Sequence, residues 1–499
     1  MQRAWVRETA GWLGALTTAL IVSGQVAASA RAELLFRDGD SLIVAMFARA
    51  ILGGTASDWA MSSVLFLPES TVFAGVYAVL PFGVNGLLAT SAVLNLLALY
   101  GAIRLAAGRS REGMAPVAWS VIALGVFGVL AATDTSGSRD ALDLASLQLT
   151  TTYYSATVVA VVLMVGLVRR YLERTSGGGG LLVALAVVTV ISTLSNPLSA
   201  VWAVVPLTAI LVVLSIRRGG RKRMLSALSV LLGSTALGFI ARIPFAAWIA
   251  NTGAGYVHPD LWMQSVGYYA HLLGERLGSP LGVIGSLLAL TLLVLAVRRS
   301  IRATHTGERV VALAAWVMPV LVVIGAIALG THAARYLQPI AFAPVLALVA
   351  YPRALALPGR VARQLVAAVA VLLLVGSALS IPRLIAAAAA PDADLSCATD
   401  WVNASGRTGA GQFWTVRLPK LHLDDPARLV QVDHMLNGYA WLVDRRDLDV
   451  GEVSFLIEDA QTVQWQLPRA AVPEQIVDCG RYRILDFGDT TLPIGPAHS

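Results

Sequence analysis

Long apolar runs, one after another and separated by small clusters of arginine, constrain this chain more than any other feature of it. A continuous apolar segment of about 20 residues crosses the ~30 Å hydrocarbon layer as a helix, and many such segments place most of a chain in lipid. The runs fall at residues 9–30, 72–103, 116–132, 154–168, 181–194, 198–216, 224–240, 281–297, 310–329, 336–350 and 365–381. They predict a mainly α polytopic membrane protein with about eleven transmembrane helices over residues 1–385. Composition agrees, since 57% of the 499 residues are hydrophobic, 13% are charged and the mean hydropathy is +0.70. No soluble fold buries that much apolar surface.

The arginines suggest an orientation. Arg3 and Arg7 precede the first run. Further clusters are Arg104, Arg109 and Arg111; Arg169, Arg170 and Arg174; Arg217, Arg218, Arg221, Lys222 and Arg223; Arg298, Arg299, Arg302 and Arg309; and Arg353, Arg360 and Arg363. Basic loops stay in the cytoplasm, so the N-terminus is expected inside a plasma membrane and, with an odd number of spans, the C-terminus outside. The same clustering accounts for the net charge of +7 without a nucleic-acid partner. Ala28-Ser29-Ala30 is a pattern a signal peptidase cuts, but the length of the run favours an uncleaved helix. No Asp, Glu or Lys falls inside a confident span, which argues against a transporter; Asn95, Asn196 and Pro197 read as packing positions.

Chemistry is therefore expected in the loops on the outer side, beginning with Phe36-Arg37-Asp38-Gly39-Asp40. In an extended segment residues two apart point the same way, so Asp38 and Asp40 are placed to share a proton or a cation, with Gly39 allowing a tight backbone. A carboxylate there serves as the base for transfer to a hydroxyl, or holds a metal that does similar work. The plainer alternative is a pair of solvated loop aspartates. Residues 41–54 carry Leu42, Ala45, Met46, Arg49 and Leu52 at helical spacing, which predicts an amphipathic helix in the interface with Arg49 near the headgroups. Pro81 predicts a kink or a late start in the second span.

Residues 391–499 differ in kind. Short β-rich runs at 413–418, 429–432, 440–443, 453–457 and 482–487, behind a linker at 386–390, predict a small extracytoplasmic α/β or β domain. The only two cysteines, Cys397 and Cys479, bracket most of it and suit one disulfide in an oxidising compartment; metal binding is the weaker reading. Trp401, Trp414, Trp441 and Trp465 read as core rather than as a carbohydrate platform.

The layout, together with two short motifs, resembles the GT-C superfamily of integral membrane glycosyltransferases, in particular the protein mannosyltransferase and aminoarabinose transferase branch. Members carry an acidic residue soon after the first helix in a segment of the type Asp-Glu-x-x-Tyr-x-x-x-Ala-Arg followed by Gly. Here Asp40 leads to Ala48-Arg49 and Gly53-Gly54, with Ser41 and Val44 departing from the Glu and Tyr. Thr331-His332-Ala333-Ala334-Arg335-Tyr336-Leu337-Gln338-Pro339 is similar to the Arg-Tyr-x-x-Pro segment that opens a late helix in these enzymes. An arginine at a helix start suits a lipid-linked phosphate, its plainer role being an interfacial anchor.

What the resemblance implies is a plasma-membrane glycosyltransferase that moves a sugar from a polyprenyl-phosphate donor to an outer glycan, lipid or protein acceptor, with inversion. Asp40 or Asp38 is the implied base. Arg335 and Tyr336, with Arg242 or Arg276, are the implied phosphate ligands, and Arg49, Glu69 and His332 further substrate contacts. Such donors need no nucleotide site, and Gly177 to Gly180 reads as a linker. The resemblance leaves a divalent metal open as cofactor, although His258 with Asp260 and His271 with Glu275 read as surface pairs. The alternatives are a non-catalytic envelope scaffold or lipid-binding protein, and then a transporter or flippase.

Overall fold

The computed structural model describes residues 2–217, 221–356, 358–467 and 471–499; Arg218 of the basic clusters lies outside the described residues. The chain divides into two compact units. One comprises Met1–Leu35, Leu88–Ile243 and Gly255–Ala388, the other Phe36–Leu87, Pro244–Ala254 and Ala389–Ser499. The contiguous division expected between 385 and 391 does not group the stretches 36–87 and 244–254 with the C-terminal residues.

Seven helices are long and apolar enough to cross a membrane among the described residues. They include Gln2–Ala27, Val84–Ala106, Ser155–Leu172, Pro280–Arg302, Thr306–Ala328 and Gly359–Ala388. The other runs expected to span form apolar helices of only 10–17 residues, among them Pro116–Ala132 and Gly179–Ser195. At 1.5 Å per residue these reach about 25 Å at most. The run expected at 72–103 is two helices, Leu67–Val79 and Val84–Ala106. The break includes Pro81, which has no N–H to continue the ladder. The expected linker at 386–390 falls differently, because the Gly359–Ala388 helix continues through Pro382 into its alanine run. Alanine is the best helix former, and that outweighs one lost hydrogen bond.

Arginines hold this helical unit together. Arg169, 2% exposed, donates to the carbonyls of Ala106 at 2.7 Å and Val349 at 3.0 Å, and pairs with Glu173 at 2.7 Å. One guanidinium thereby caps the ends of two other segments. Arg299 does likewise with Ala347 and Leu348, at 2.7 and 3.0 Å.

The second unit is built on a seven-stranded mixed sheet. Its strands are β1 (Gly409–Gln412), β2 (Leu429–Val432), β3 (Asn437–Tyr439), β4 (Phe455–Glu458), β5 (Gln475–Cys479), β6 (Tyr482–Asp486) and β7 (Gly495–His498). They run in the order β7-β3-β2-β1-β4-β6-β5, with β1 central and parallel to both β2 and β4. β1 reads Gly-Ala-Gly-Gln, which no β-propensity would select. Its glycines are required by close approach: a Cβ on Gly409 would sit 2.1 Å from the Phe455 ring, and one on Gly411 2.6 Å from Ile457. The run expected as a strand at 413–418 is instead helical, Phe413–His422, and with Ala393–Ser405 it packs on the sheet. Ala410, Val430, Leu456 and Phe487 form the core. Of the four tryptophans expected in the core, Trp401, Trp414, Trp441 and Trp465 are all only half-buried.

Stretch 36–87 joins this unit through backbone pairing. Trp59–Ala60 forms a two-residue antiparallel ladder with Val443–Asp444, and Met61 bridges Ile249. Arg445 donates to the carbonyls of Trp59 at 3.0 Å and Ala247 at 2.8 Å. Cys397 and Cys479 are joined, with Cα atoms 5.5 Å apart across 82 residues of sequence. Replacing both by serine is expected to lower the stability of this unit by about 4 kcal/mol in the chain-entropy picture, read as a lower denaturation midpoint by tryptophan fluorescence of the full chain. An unchanged midpoint contradicts this, as would free thiols at both cysteines of the chain purified without reductant.

Candidate functional site

The acidic corner belongs to the second unit and is a turn, not an extended segment. Asp38 Oδ1 accepts the Asp40 N–H at 3.2 Å, the Asp38 carbonyl accepts the Ser41 N–H at 2.9 Å, and the helix Ile43–Leu52 starts at once. A short polar side chain bonding the backbone two residues on is what favours a turn over a strand. The same-side argument for Asp38 and Asp40 therefore fails here. Asp38 is buried and Asp40 half-buried.

What faces them comes from the helix Phe413–His422. A Cβ on Gly39 would lie 3.2 Å from Trp414 and 3.3 Å from the Arg417 side chain, so the turn is seated directly on that helix. Arg417 is fully buried, donates to the carbonyls of Trp441 and Leu442 at 2.8 and 2.6 Å, and lies over the Phe413 ring at 4.1 Å. Burial pulls its guanidinium down to about 10, against the opposing pull of Asp40, Tyr439 and Asp38. The corner is thus an acidic turn beside a buried arginine. A dication held by Asp38 and Asp40 does not fit a place already facing that charge, and among the described residues no three His, Cys, Asp or Glu side chains converge to hold a metal.

Arg49 is tied to the end of the Phe413–His422 helix and the residues after it. It donates to the carbonyls of Leu421 and Leu423, both at 3.3 Å, and of Asp424 at 3.2 Å, while Ile43 to Ala48 ahead of it are buried. The helix expected within 41–54 is present as Ile43–Leu52, with its first six residues buried in the second unit. Glu69 is buried in the first turn of Leu67–Val79, where the helix N-terminus favours a negative charge. A cavity of about 420 Å³ is lined by Arg49, Trp59, Lys420, Asp444, Arg446 and Asp447 among others, but not by Asp38 or Asp40. Lys420, a residue the sequence reading did not single out, is buried against Asp447 at 2.8 Å. Burial lowers its pKa and raises that of Asp447.

The other expected residues lie in the helical unit. Arg335 stands on the turn Ala334–Leu337, with Nε 3.3 Å from the Tyr154 hydroxyl and its guanidinium 5.6 Å from the Tyr336 ring centre. His332 is exposed, its ring edge-on to Tyr268 at 5.2 Å. Arg242 donates to the Leu194 carbonyl at 2.6 Å. Arg276 is committed elsewhere: it pairs with Asp134 at 2.9 Å and with Asp143, and donates to the Leu142 carbonyl at 2.9 Å. Arg31 completes this cluster, donating to the Ser146 hydroxyl and the Asp143 carbonyl, each at 2.8 Å. Burial raises the pKa of Asp134 despite Arg276 and Arg31, and lowers that of Arg31. His271 and Glu275 form an exposed pair at 3.3 Å, and His258 bonds the Gly255 carbonyl at 2.9 Å.

One cavity in this unit, about 510 Å³, has almost wholly apolar walls and reaches Asp134 and Arg276. Leu337, Ile340, Ala341 and Pro344, which follow Arg335 and Tyr336 in sequence, form part of its wall beside Leu130, Leu273 and Leu293. The chain matches no protein-family model, and no curated protein matches it significantly.

His422, at the end of the Arg417 helix, is half-buried and its pKa is lowered by that burial, with Asp392 pulling the other way and Arg49 adding to the fall. As pH drops through about 6.5 the unfolded chain takes up a proton that the folded imidazole resists. Stability from this group is therefore full above about pH 6.5 and is lost as pH falls toward the lowered value, at no more than about 1.4 kcal/mol per pH unit. Melting the full chain between pH 7.5 and 5.5 is expected to show this loss, and His422→Gln to flatten it. An identical slope in the variant would assign the pH dependence to other groups.

Proposed function

We propose that this chain is a membrane glycosyltransferase that takes a sugar from a polyprenyl-phosphate donor and passes it to an extracytoplasmic acceptor. The observation that carries the reading is the apolar cavity of the helical unit, because its wall includes Leu337, the residue after Tyr336, with Ile340, Ala341 and Pro344 beyond it. A long isoprenoid chain needs apolar walls, and its phosphate needs a cation near by. Arg335 is assigned the phosphate in preference to Arg276, whose charge is already met by two carboxylates. The topology that goes with this reading is about eleven spans, some of them short, with the N-terminus in the cytoplasm and residues 391–499 outside.

Asp40 is assigned the role of general base. In the reaction the acceptor hydroxyl oxygen bonds to the anomeric carbon as its proton passes to the Asp40 carboxylate. The bond from that carbon to the phosphate oxygen breaks, its electron pair leaves on the lipid phosphate, and configuration inverts. Asp38 shapes the turn that presents Asp40, through its bond to the Asp40 N–H. No step requires a metal. A lipid-binding scaffold without catalysis is the second reading, and the same cavity favours it.

The two readings part on Asp40→Asn. For the transferase, turnover in nanodiscs with a polyprenyl-phosphate sugar falls at least about 100-fold while donor binding persists. Full activity in Asp40→Asn and Asp38→Asn alike would eliminate the mechanism. Arg335→Ala is expected to do the reverse, weakening donor binding by about 1.5 to 3 kcal/mol, the range of a charge-assisted contact. For topology, single cysteines introduced into residues 391–499 are expected to react with an impermeant label from outside; labelling only after the membrane is opened would reverse the assignment.

A further inference from the structure

Arg335 is held by more than its own helix turn. Tyr154, the residue before the helix Ser155–Leu172, has φ of 65°, in the left-handed region where a side chain other than glycine persists only if its surroundings hold it. Three contacts tie residues 153–154 and 202 to residues 335–338. Gln338 Nε2 donates to the Tyr153 carbonyl at 2.8 Å. Buried Trp202 lies edge-on to the Tyr154 ring, centroids 5.9 Å apart, and donates its indole N–H to the Tyr336 carbonyl at 3.1 Å. The third contact is Arg335 Nε donating to the Tyr154 hydroxyl at 3.3 Å.

The first two contacts need only the Tyr153 backbone and an aromatic ring at 154. Phenylalanine would satisfy both. The hydroxyl is used by the third, and a bond at Nε restricts how the guanidinium turns, which favours a forked contact from its two Nη groups to an oxyanion. We infer that Tyr154 is a positioning residue whose hydroxyl orients Arg335 toward an anionic ligand, an inference that rests on the assignment of Arg335 to the donor phosphate. The conformation at 154 sets the direction of the phenol, so the strain lies where the geometry is used.

Tyr154→Phe isolates the hydroxyl. The probe is undecaprenyl phosphate bound to the full chain in nanodiscs, with undecaprenol, which lacks the phosphate, as control. The expected result is a 5- to 10-fold weaker Kd for the phosphate, an unchanged Kd for the alcohol and an unchanged melting temperature. Arg335→Ala should lose more, and the double variant Tyr154→Phe with Arg335→Ala no more than Arg335→Ala alone. If Arg335→Ala weakens phosphate binding and Tyr154→Phe does not, the positioning role is overturned and the assignment of Arg335 stands. Equal weakening for phosphate and alcohol in Tyr154→Phe also overturns it, because a packing defect does not distinguish the two. Wild-type affinity in Arg335→Ala overturns both.

Discussion

A guanidinium does not give up its proton in a protein, so wherever this chain buries an arginine it has to surround it with acceptors. It does so repeatedly, and mostly with backbone carbonyls. Arg31, Arg169 and Arg417 are each at most 2% exposed, and each donates to carbonyls remote in sequence. Helix ends leave carbonyls without partners inside the helix, and a forked donor can cap two at once. The helical unit is fastened in this way at Ala106 and Val349, and the sheet-bearing unit at Trp441 and Leu442. Losing one such arginine would leave several buried acceptors unmet, at a cost far above that of a surface contact.

The same constraint sorts the candidate site residues. Arg276 and Arg49 carry charge in the expected places, but their donors are spent on Asp134 and Asp143 in one case and on three carbonyls in the other. Arg335, half-buried as they are, differs in its partners, with a phenol on its Nε and an aromatic ring near its guanidinium. Asp40 differs from Asp38 in exposure, being half-buried where Asp38 is enclosed and bonded to the turn. A group that meets a substrate has to keep some contact with its surroundings, and half-buried Arg335 and Asp40 both do.

Apolar periodicity, arginine clusters and two cysteines by themselves determined that the chain is largely helical and apolar enough for a membrane, with a C-terminal sheet-bearing part. These are properties of single segments, set by local spacing and by how much apolar surface a segment carries. The number of spans was less legible, because hydropathy measures composition and not the length over which a helix stays intact. Only the tertiary structure decided that β1 is Gly409–Gln412, since its glycines are chosen by Phe455 and Ile457 from another strand. It likewise decided that 413–418 is helical, that the acidic corner is a turn seated on Trp414 and Arg417, and that Tyr154 meets Arg335 across 181 residues of sequence. Partners that far apart leave no periodic trace in either segment, so the chain has to fold before their chemistry can be read.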